Sequence, residues 1–356
     1  MEELNYYLAL SYISIPLWAK VQILKKVSFL PSYLFGKWKE NLYEFNKWKD
    51  VFLNFNEWKK LDEIVKDCSS RNIKILLPCD KEYPRLLLET PDFPVVLFCV
   101  GDVNIINSSC FSIVGTRAMS HYGSSVIKRL VPDLCRAGFC IVSGMARGVD
   151  GCAHFETLNN AGRTIAVLGT GVDTPFPYQN RTLYQKILNS GGLIISEFMP
   201  GEPGFKQNFP RRNRIIAGLS HGTLVIEAGL DSGSLITSSI AATYSRDVFA
   251  VPGSILSKNA DGTNALIKKG AIVVCSSDDI LEHYELLIKD NMSKTVKKQV
   301  SDTAKSLLVI LNGQGCDVNQ LLQESGLSSG ELFKNLEELQ LNGYISIDEF
   351  GAYHLT

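Results

Sequence analysis

Cys140-Ile141-Val142-Ser143-Gly144-Met145-Ala146-Arg147-Gly148-Val149-Asp150 is an apolar run that stops in a polar, glycine-rich turn and then resumes. The pattern recurs along the middle of the chain. Apolar runs at 113–114, 141–142, 165–168, 193–195, 224–226 and 248–251 each end in a polar or Gly-rich turn, and helical stretches such as 126–135 and 236–244 separate most of them. Alternating strands and helices predict an α/β fold with a Rossmann-like, doubly wound, mostly parallel sheet. Pro132 falls inside the first helical stretch and predicts a kink there. Ligands of such sheets bind beyond the carboxyl ends of the strands, so the turns after these strands share one functional edge.

Those turns read Gly115-Thr116-Arg117, Ser143-Gly144-Met145-Ala146-Arg147-Gly148, Gly169-Thr170-Gly171, Asp231-Ser232-Gly233-Ser234 and Pro252-Gly253-Ser254. Glycine admits a ligand close to the backbone, and free N–H groups at a helix start attract anions. Ser, Thr and Arg add hydroxyl and guanidinium donors suited to phosphate oxygens. One such turn is often only geometric; five on one edge, two with arginine, point to an anion or polyanion site.

Phe205-Lys206-Gln207-Asn208-Phe209-Pro210-Arg211-Arg212-Asn213-Arg214 holds four cations, no acid and two phenylalanines. Cations along a backbone and an aromatic face for a base are what a single-strand groove needs. The competing reading is a surface loop whose phenylalanines enter the core while its arginines pair with Glu197 or Glu202.

The whole chain gives no electrostatic argument of its own. Its 356 residues are 45% hydrophobic and 21% charged with a net charge of −1, so a nucleic-acid reading rests on local charge. The nine cysteines (Cys68, Cys79, Cys99, Cys110, Cys135, Cys140, Cys152, Cys275, Cys316) form no C-x-x-C pair, and several lie in apolar stretches. Free thiols in a reducing, cytoplasmic setting are the expectation. Met1-Glu2-Glu3-Leu4-Asn5 is acidic where a signal peptide would be basic, and the longest apolar run, around 95–100, is far short of a membrane span. No membrane partner is expected.

Familiar enzyme sites are missing. Gly115-Thr116-Arg117-Ala118-Met119-Ser120 lacks G-x-G-x-x-G, and no G-x-x-x-x-G-K-[ST] occurs. The five histidines (His121, His154, His221, His283, His354) have no metal-ligand spacing, and Ser143 is not in a G-x-S-x-G elbow. The expectation is a binding protein with no catalytic residue, metal or cofactor.

Four segments follow: a helical region at 1–68, the Rossmann-like domain at 69–288, a polar linker at 289–303 and a small module at 304–356. The first contains Trp18, Trp38, Trp48 and Trp58, with an echo in Lys37-Trp38-Lys39-Glu40, Lys47-Trp48-Lys49-Asp50 and Glu57-Trp58-Lys59-Lys60. Interleaved Trp and Lys suit a base-stacking platform. However, Trp38, Leu42, Phe45 and Trp48, Phe52, Phe55 follow the i, i+4, i+7 spacing of a buried helix face. Packing is the default.

The middle segment resembles the DNA-processing protein A (DprA/Smf) family. The likeness runs through Ile113-Val114-Gly115-Thr116-Arg117, 142–150 with His154, 164–169, 209–219, Ser232-Gly233-Ser234-Leu235-Ile236-Thr237, Phe249-Ala250-Val251-Pro252-Gly253 and Gly262-Thr263-Asn264. It begins upstream at Asp80, Tyr83-Pro84, Pro94 and 96–98, and covers about 80–290 in order. The resemblance implies a dimeric, sequence-indifferent binder of single-stranded DNA that protects incoming strands in natural transformation and helps load the RecA recombinase. The family's phosphate-gripping arginine maps onto Arg117, and its lysine and aromatic onto Lys206 and Phe209. Gly115, Thr116, Ser143, Gly144, Arg147, Arg211, Arg212, Asn213, Arg214, Ser232, Gly233 and Ser234 complete the expected strand-binding set. Some members place a further lysine after a Tyr/Phe-Pro pair; here Phe176-Pro177 is followed by Tyr178.

Family members often end in a winged helix. Helical patterns at 304–311, 318–325 and 331–341, a capping box at Ser328-Ser329-Gly330-Glu331 and strands at 344–347 and 352–355 agree with one. From 301 onward there are eight acids against Lys305 and Lys334, a net of about −6. A module so charged repels a phosphate backbone, so it is expected to dock a protein rather than DNA. The enzyme rival is a nucleoside-monophosphate phosphoribohydrolase on a related fold. Its P-G-G-x-G-T-x-x-E is replaced here by Asp231-Ser232-Gly233-Ser234-Leu235-Ile236-Thr237, with Glu227 the nearest carboxylate.

Overall fold

The computed structural model describes residues 3–35, 40–285, 301–311, 316–341, 344–348 and 352–355. Trp38 with its flanking lysines, most of the expected linker and the tip of the C-terminal turn lie outside them. The described residues divide into two compact units, Met1–Leu281 and Glu282–Thr356.

In the first unit, β1 (Lys74–Leu76), β2 (Leu97–Gly101), β3 (Cys110–Val114), β4 (Cys140–Ser143), β5 (Thr164–Val167), β6 (Leu193–Ser196), β7 (Gly222–Val225), β8 (Asp247–Ala250) and β9 (Ile272–Val273) form one sheet. Its order is β1-β2-β6-β5-β4-β3-β7-β8-β9. All six apolar runs of the sequence are strands of its centre. From β6 to β9 every pairing is parallel, while β2 runs antiparallel to β6 (Phe98 opposite Ser196) and β1 antiparallel to β2. Because β3 through β6 are buried on both faces, their sequences are mostly apolar runs rather than alternating ones.

The sheet reverses its direction of winding at β3. From β3 the chain moves outward through β4, β5 and β6, then returns to the other side of β3 with β7 and moves outward again through β8. The turns after β3 and β7 therefore part in opposite directions and leave a crevice between them.

The N-terminal helices α1 (Glu3–Tyr12), α2 (Leu17–Lys26), α3 (Ser32–Phe35), α4 (Lys49–Leu53) and α5 (Trp58–Ser70) share one apolar core with the β2 edge of the sheet. The aromatic periodicity is packing. Phe52 is 1% exposed, and Phe35 meets Phe52, Phe55 and Trp58 with ring centroids 5.2–5.6 Å apart. Among the described tryptophans only Trp18 is largely exposed, and it meets Trp48 edge-on at 6.0 Å.

Between the strands lie α6 (Arg85–Leu88), α7 (His121–Arg136), α8 (Val149–Asn159), α9 (Arg181–Asn189), α10 (Asn208–Leu219), α11 (Gly233–Thr243) and α12 (Asp261–Lys268), and α13 (Asp278–Leu281) follows β9. Pro132 lies within α7, which continues to Arg136. The second unit holds α14 (Asp302–Ile310), α15 (Val318–Ser325), α16 (Ser329–Leu341) and the hairpin β10 (Ile345–Ile347) and β11 (Tyr353–Leu355) around its own leucine-rich core. Ser328 and Glu331 form the expected reciprocal cap. Asp317 and Gln320 form another on α15, unmarked in the sequence reading because Asp-x-x-Gln is a less familiar pair.

Candidate nucleic-acid interface

A cleft of about 930 Å³ occupies the crevice between the turns after β3 and β7. Its geometry starts from glycine. A Cβ on Gly115 would sit 2.6 Å from Val149 Cγ2 and 2.9 Å from the Glu227 carbonyl. Only glycine lets the β3 turn lie this close, and the Thr116 amide then donates to that carbonyl at 2.8 Å. Gly148 has φ +76°, and a Cβ there would meet the Thr116 carbonyl at 2.3 Å and the Arg117 carbonyl at 2.7 Å. The β3 and β4 turns are thus interlocked, and Arg117 projects from the lock, exposed. Gly148→Ala is expected to lower stability by at least about 1–3 kcal/mol, read as a fall in the urea midpoint at unchanged slope. A parental midpoint would mean that the turn tolerates displacement.

Phe209, on the first turn of α10, is wedged against glycine faces. A Cβ on Gly169 would lie 2.8 Å from its Cδ1, and one on Gly204 3.1 Å from its Cζ. Phe176 packs on it with centroids 5.0 Å apart and planes 37° apart, while the Arg117 guanidinium lies 5.8 Å from the Phe209 centroid. Phe209 is half-buried, whereas Phe176 is 42% exposed and lines the cleft. The free aromatic face is therefore mainly that of Phe176. The sequence reading noted Phe176 only as the residue before a missing lysine. Its signal was an aromatic in the turn after β5, on the edge where all the other site residues lie.

Cations reach the cleft at Arg117, Lys206 and Lys258. Lys258 was not singled out from the sequence, although it follows the quoted Pro252-Gly253-Ser254 turn. Asp231 and Asp261 also line the cleft, so its charge is mixed. The helix starts differ in what they offer. At α8 the Val149 amide donates to the Thr116 carbonyl, and the buried Asp150 carboxylate accepts from the Gly144 amide at 3.2 Å. The start of α11 is open: Gly233 has no neighbour within 4 Å of a Cβ position, and Ser232 caps the Ser234 amide at 3.4 Å. Asn213 reaches across to the Gly233 carbonyl at 3.4 Å.

Of the residues expected to hold DNA, Gly115, Thr116, Arg117, Lys206, Phe209, Arg212, Asn213, Ser232, Gly233 and Ser234 line this cleft. Arg212 does so as fixed floor. It is 5% exposed and donates to the Gly144 carbonyl at 2.6 Å and to the Val167 carbonyl, tying the ends of β4 and β5 together. Burial, eased by Asp150 and reinforced by Arg117, lowers its pKa to about 10, so it stays charged.

Ser143, Gly144, Arg147, Arg211 and Arg214 do not line this cleft. Ser143 is fully buried and its hydroxyl donates to the Ile113 carbonyl at 2.6 Å. Gly144 lies beneath the Arg212 guanidinium, 2.5 Å from where its Cβ would be. Arg147 lines a neighbouring hollow. Arg214 is 4% exposed, pairs with Glu197 at 2.5 Å and donates to the Asp92 carbonyl at 2.5 Å. Arg211 also pairs with Glu197, at 2.8 Å. The helical pitch of α10 explains the division: position 209 faces the cleft, while 211 and 214, three residues apart, share the opposite face. The competing loop reading holds for these two arginines.

His154 is fully buried against Thr164, with Nδ1 and Oγ1 2.7 Å apart. Burial lowers its pKa to about 3, so it is a neutral core residue. Among the described residues no group of three His, Cys, Asp or Glu side chains is placed to hold a metal ion, and no helix is long and apolar enough to cross a membrane.

A profile of the family described as DNA recombination-mediator protein A matches residues 74–285. Protein Smf of Escherichia coli is 38% identical over 288 residues, covering 79% of this chain and 77% of its own. DNA processing protein DprA of Streptococcus pneumoniae is 44% identical over 206 residues, 58% of this chain and 72% of its own. The X-ray structure of the Streptococcus pneumoniae DNA processing protein A superposes with a TM-score of 0.66 at 35% identity, over 79% of this chain and 98% of that one. DNA processing protein A from Helicobacter pylori, in a structure concerned with its single-stranded DNA binding mode, gives 0.55 at 30% identity, over 61% of this chain and 96% of that one. With the profile covering more than half its length and a relative 38% identical over 79% of it, the chain belongs to the DNA recombination-mediator protein A family.

Proposed function

We propose that the chain binds single-stranded DNA in the cleft between the β3 and β7 turns. The observation that carries this is the pairing of Arg117, Lys206 and Lys258 with an exposed Phe176 seated on Phe209, in one crevice at the point where the sheet reverses. Cations hold phosphates and the ring holds an unpaired base. The printed concern of the Helicobacter pylori structure with single-stranded DNA supports the same reading. In this reading the protein works in the cytoplasm as a homodimer that protects a strand and helps load the RecA recombinase, as in natural transformation.

Glu227, which a phosphoribohydrolase would need in the cleft, is occupied elsewhere: its carboxylate accepts from the Ser120 amide at 2.8 Å and the Ser120 hydroxyl at 2.5 Å, at the start of α7. That arrangement favours strand binding over base release. The C-terminal unit we read as a winged helix from its order of helices and hairpin, with a third helix that exposes Glu331 and Glu337 beside Lys334.

The test is a gel shift of single- against double-stranded oligonucleotides of equal length over a salt series. A stacking ring needs an unpaired base, so clear single-strand preference with little dependence on sequence is expected. Equal or tighter duplex binding would refute the reading.

A further inference from the structure

Beside the cleft, on the far side of the β4–α8 turn, lies a second hollow of about 420 Å³. Consecutive residues divide the two: Ala146 lines the cleft and Arg147 the hollow. The ridge between them is braced, because the Asn180 side-chain amide donates to the Met145 carbonyl at 2.8 Å and the Ala146 carbonyl at 3.2 Å. The hollow repeats the chemistry of the cleft. Phe155, on α8, is 41% exposed, and Lys186, on α9, holds its ammonium 5.2 Å from the Phe155 centroid. Arg147 is exposed at the rim.

Several surface cations of this unit are neutralised: Arg71 by Asp67 and Asp173, Arg136 by Asp133, Arg246 by Glu89. Among the described residues neither Arg147 nor Lys186 has a carboxylate partner within 4.0 Å. A partly exposed ring in a concavity lined also by two cations without a carboxylate partner is an arrangement that a nucleic-acid strand satisfies, by stacking and phosphate contact together. Lys186 covering Phe155 with its own stem would account for the pair, but not for the hollow or for Arg147.

We propose that this hollow is a second subsite for the same strand, with one base on Phe155 and flanking phosphates on Arg147 and Lys186. A strand leaving Phe176 crosses the Ala146 ridge to reach it. This rests on the reading of the cleft as the single-strand site.

The test compares oligothymidylates of about 5 and about 20 nucleotides by fluorescence anisotropy, for the parent, for Arg117→Ala and for the double variant Phe155→Ala with Lys186→Ala. Both residues of the double variant are exposed, so its thermal midpoint is expected to match the parent. Arg117→Ala is expected to weaken both oligomers. The double variant is expected to bind the short one within about twofold of the parent and the long one about tenfold more weakly, with Lys186→Arg alone close to parental. Parental binding of the long oligomer by the double variant, or an equal loss on both lengths, would overturn the second subsite and leave the cleft standing. If the parent bound neither oligomer, the cleft reading itself would fail.

Discussion

Glu197→Ala is expected to lower the free energy of unfolding by about 3–5 kcal/mol, the largest effect of any single substitution considered. Glu197 lies at the end of β6 with its side chain 4% exposed, and it neutralises both Arg214 and Arg211. Lys20, from α2, is buried beside the same group and donates to the Ser11 carbonyl at 2.5 Å. Burial, with Arg211 adding to it and Glu197 opposing, lowers the Lys20 pKa to about 7. Removing the carboxylate leaves buried cations uncompensated on two elements at once. Arg214→Ala, which strands Glu197 with Arg211 alone, should lower stability in the same direction. Glu197→Gln keeps one acceptor and should cost less. Urea unfolding with slopes compared across the set checks this. A parental midpoint for Glu197→Ala, together with a flatter salt dependence of DNA binding for Arg214→Ala, would mean that α10 presents these arginines to DNA after all.

The second large effect concerns affinity. Arg117→Ala and Lys206→Ala should each weaken single-strand binding by about 1.5–3 kcal/mol, the range for charge-assisted hydrogen bonds, and each should flatten the salt dependence by about 0.7 unit of slope. Phe176→Ala and Phe209→Ala should cost roughly 1–3 kcal/mol with the slope unchanged, because stacking releases no counterions. The two rings form one packed pair, so their losses should not add. Isothermal titrations at several salt concentrations separate the classes. If Arg117→Ala and Lys206→Ala both bound like the parent, the strand would lie elsewhere.

Strand and turn positions were legible because the centre of a parallel sheet is buried on both faces, which favours apolar runs bounded by polar or glycine-rich turns. The sequence did not reveal which way each residue of the 205–214 segment points. Arg211 and Arg214 carry the same charge and sit in the same run as Lys206, yet a helix begins at Asn208 and turns them toward Glu197. The competing reading named Glu197 as a partner, but spacing alone did not say which arginines the carboxylate at the end of β6 would take. Ser143 was misplaced for a related reason: it reads as the first residue of a turn, but it is the last of a strand buried on both faces. Phe176 and Lys258 were missed because each becomes a site residue only through strand order, which sets the β5 and β8 turns two strands to either side of β3 on one edge of the sheet.

The most direct measurement is photocross-linking of the full chain to a single-stranded oligonucleotide carrying 5-bromouracil in place of thymine, with adducts located by mass spectrometry. Adducts on Phe176, Phe209 and their neighbours along the cleft are the expected result. Adducts confined to the N-terminal helices or to the acidic C-terminal unit would contradict the account.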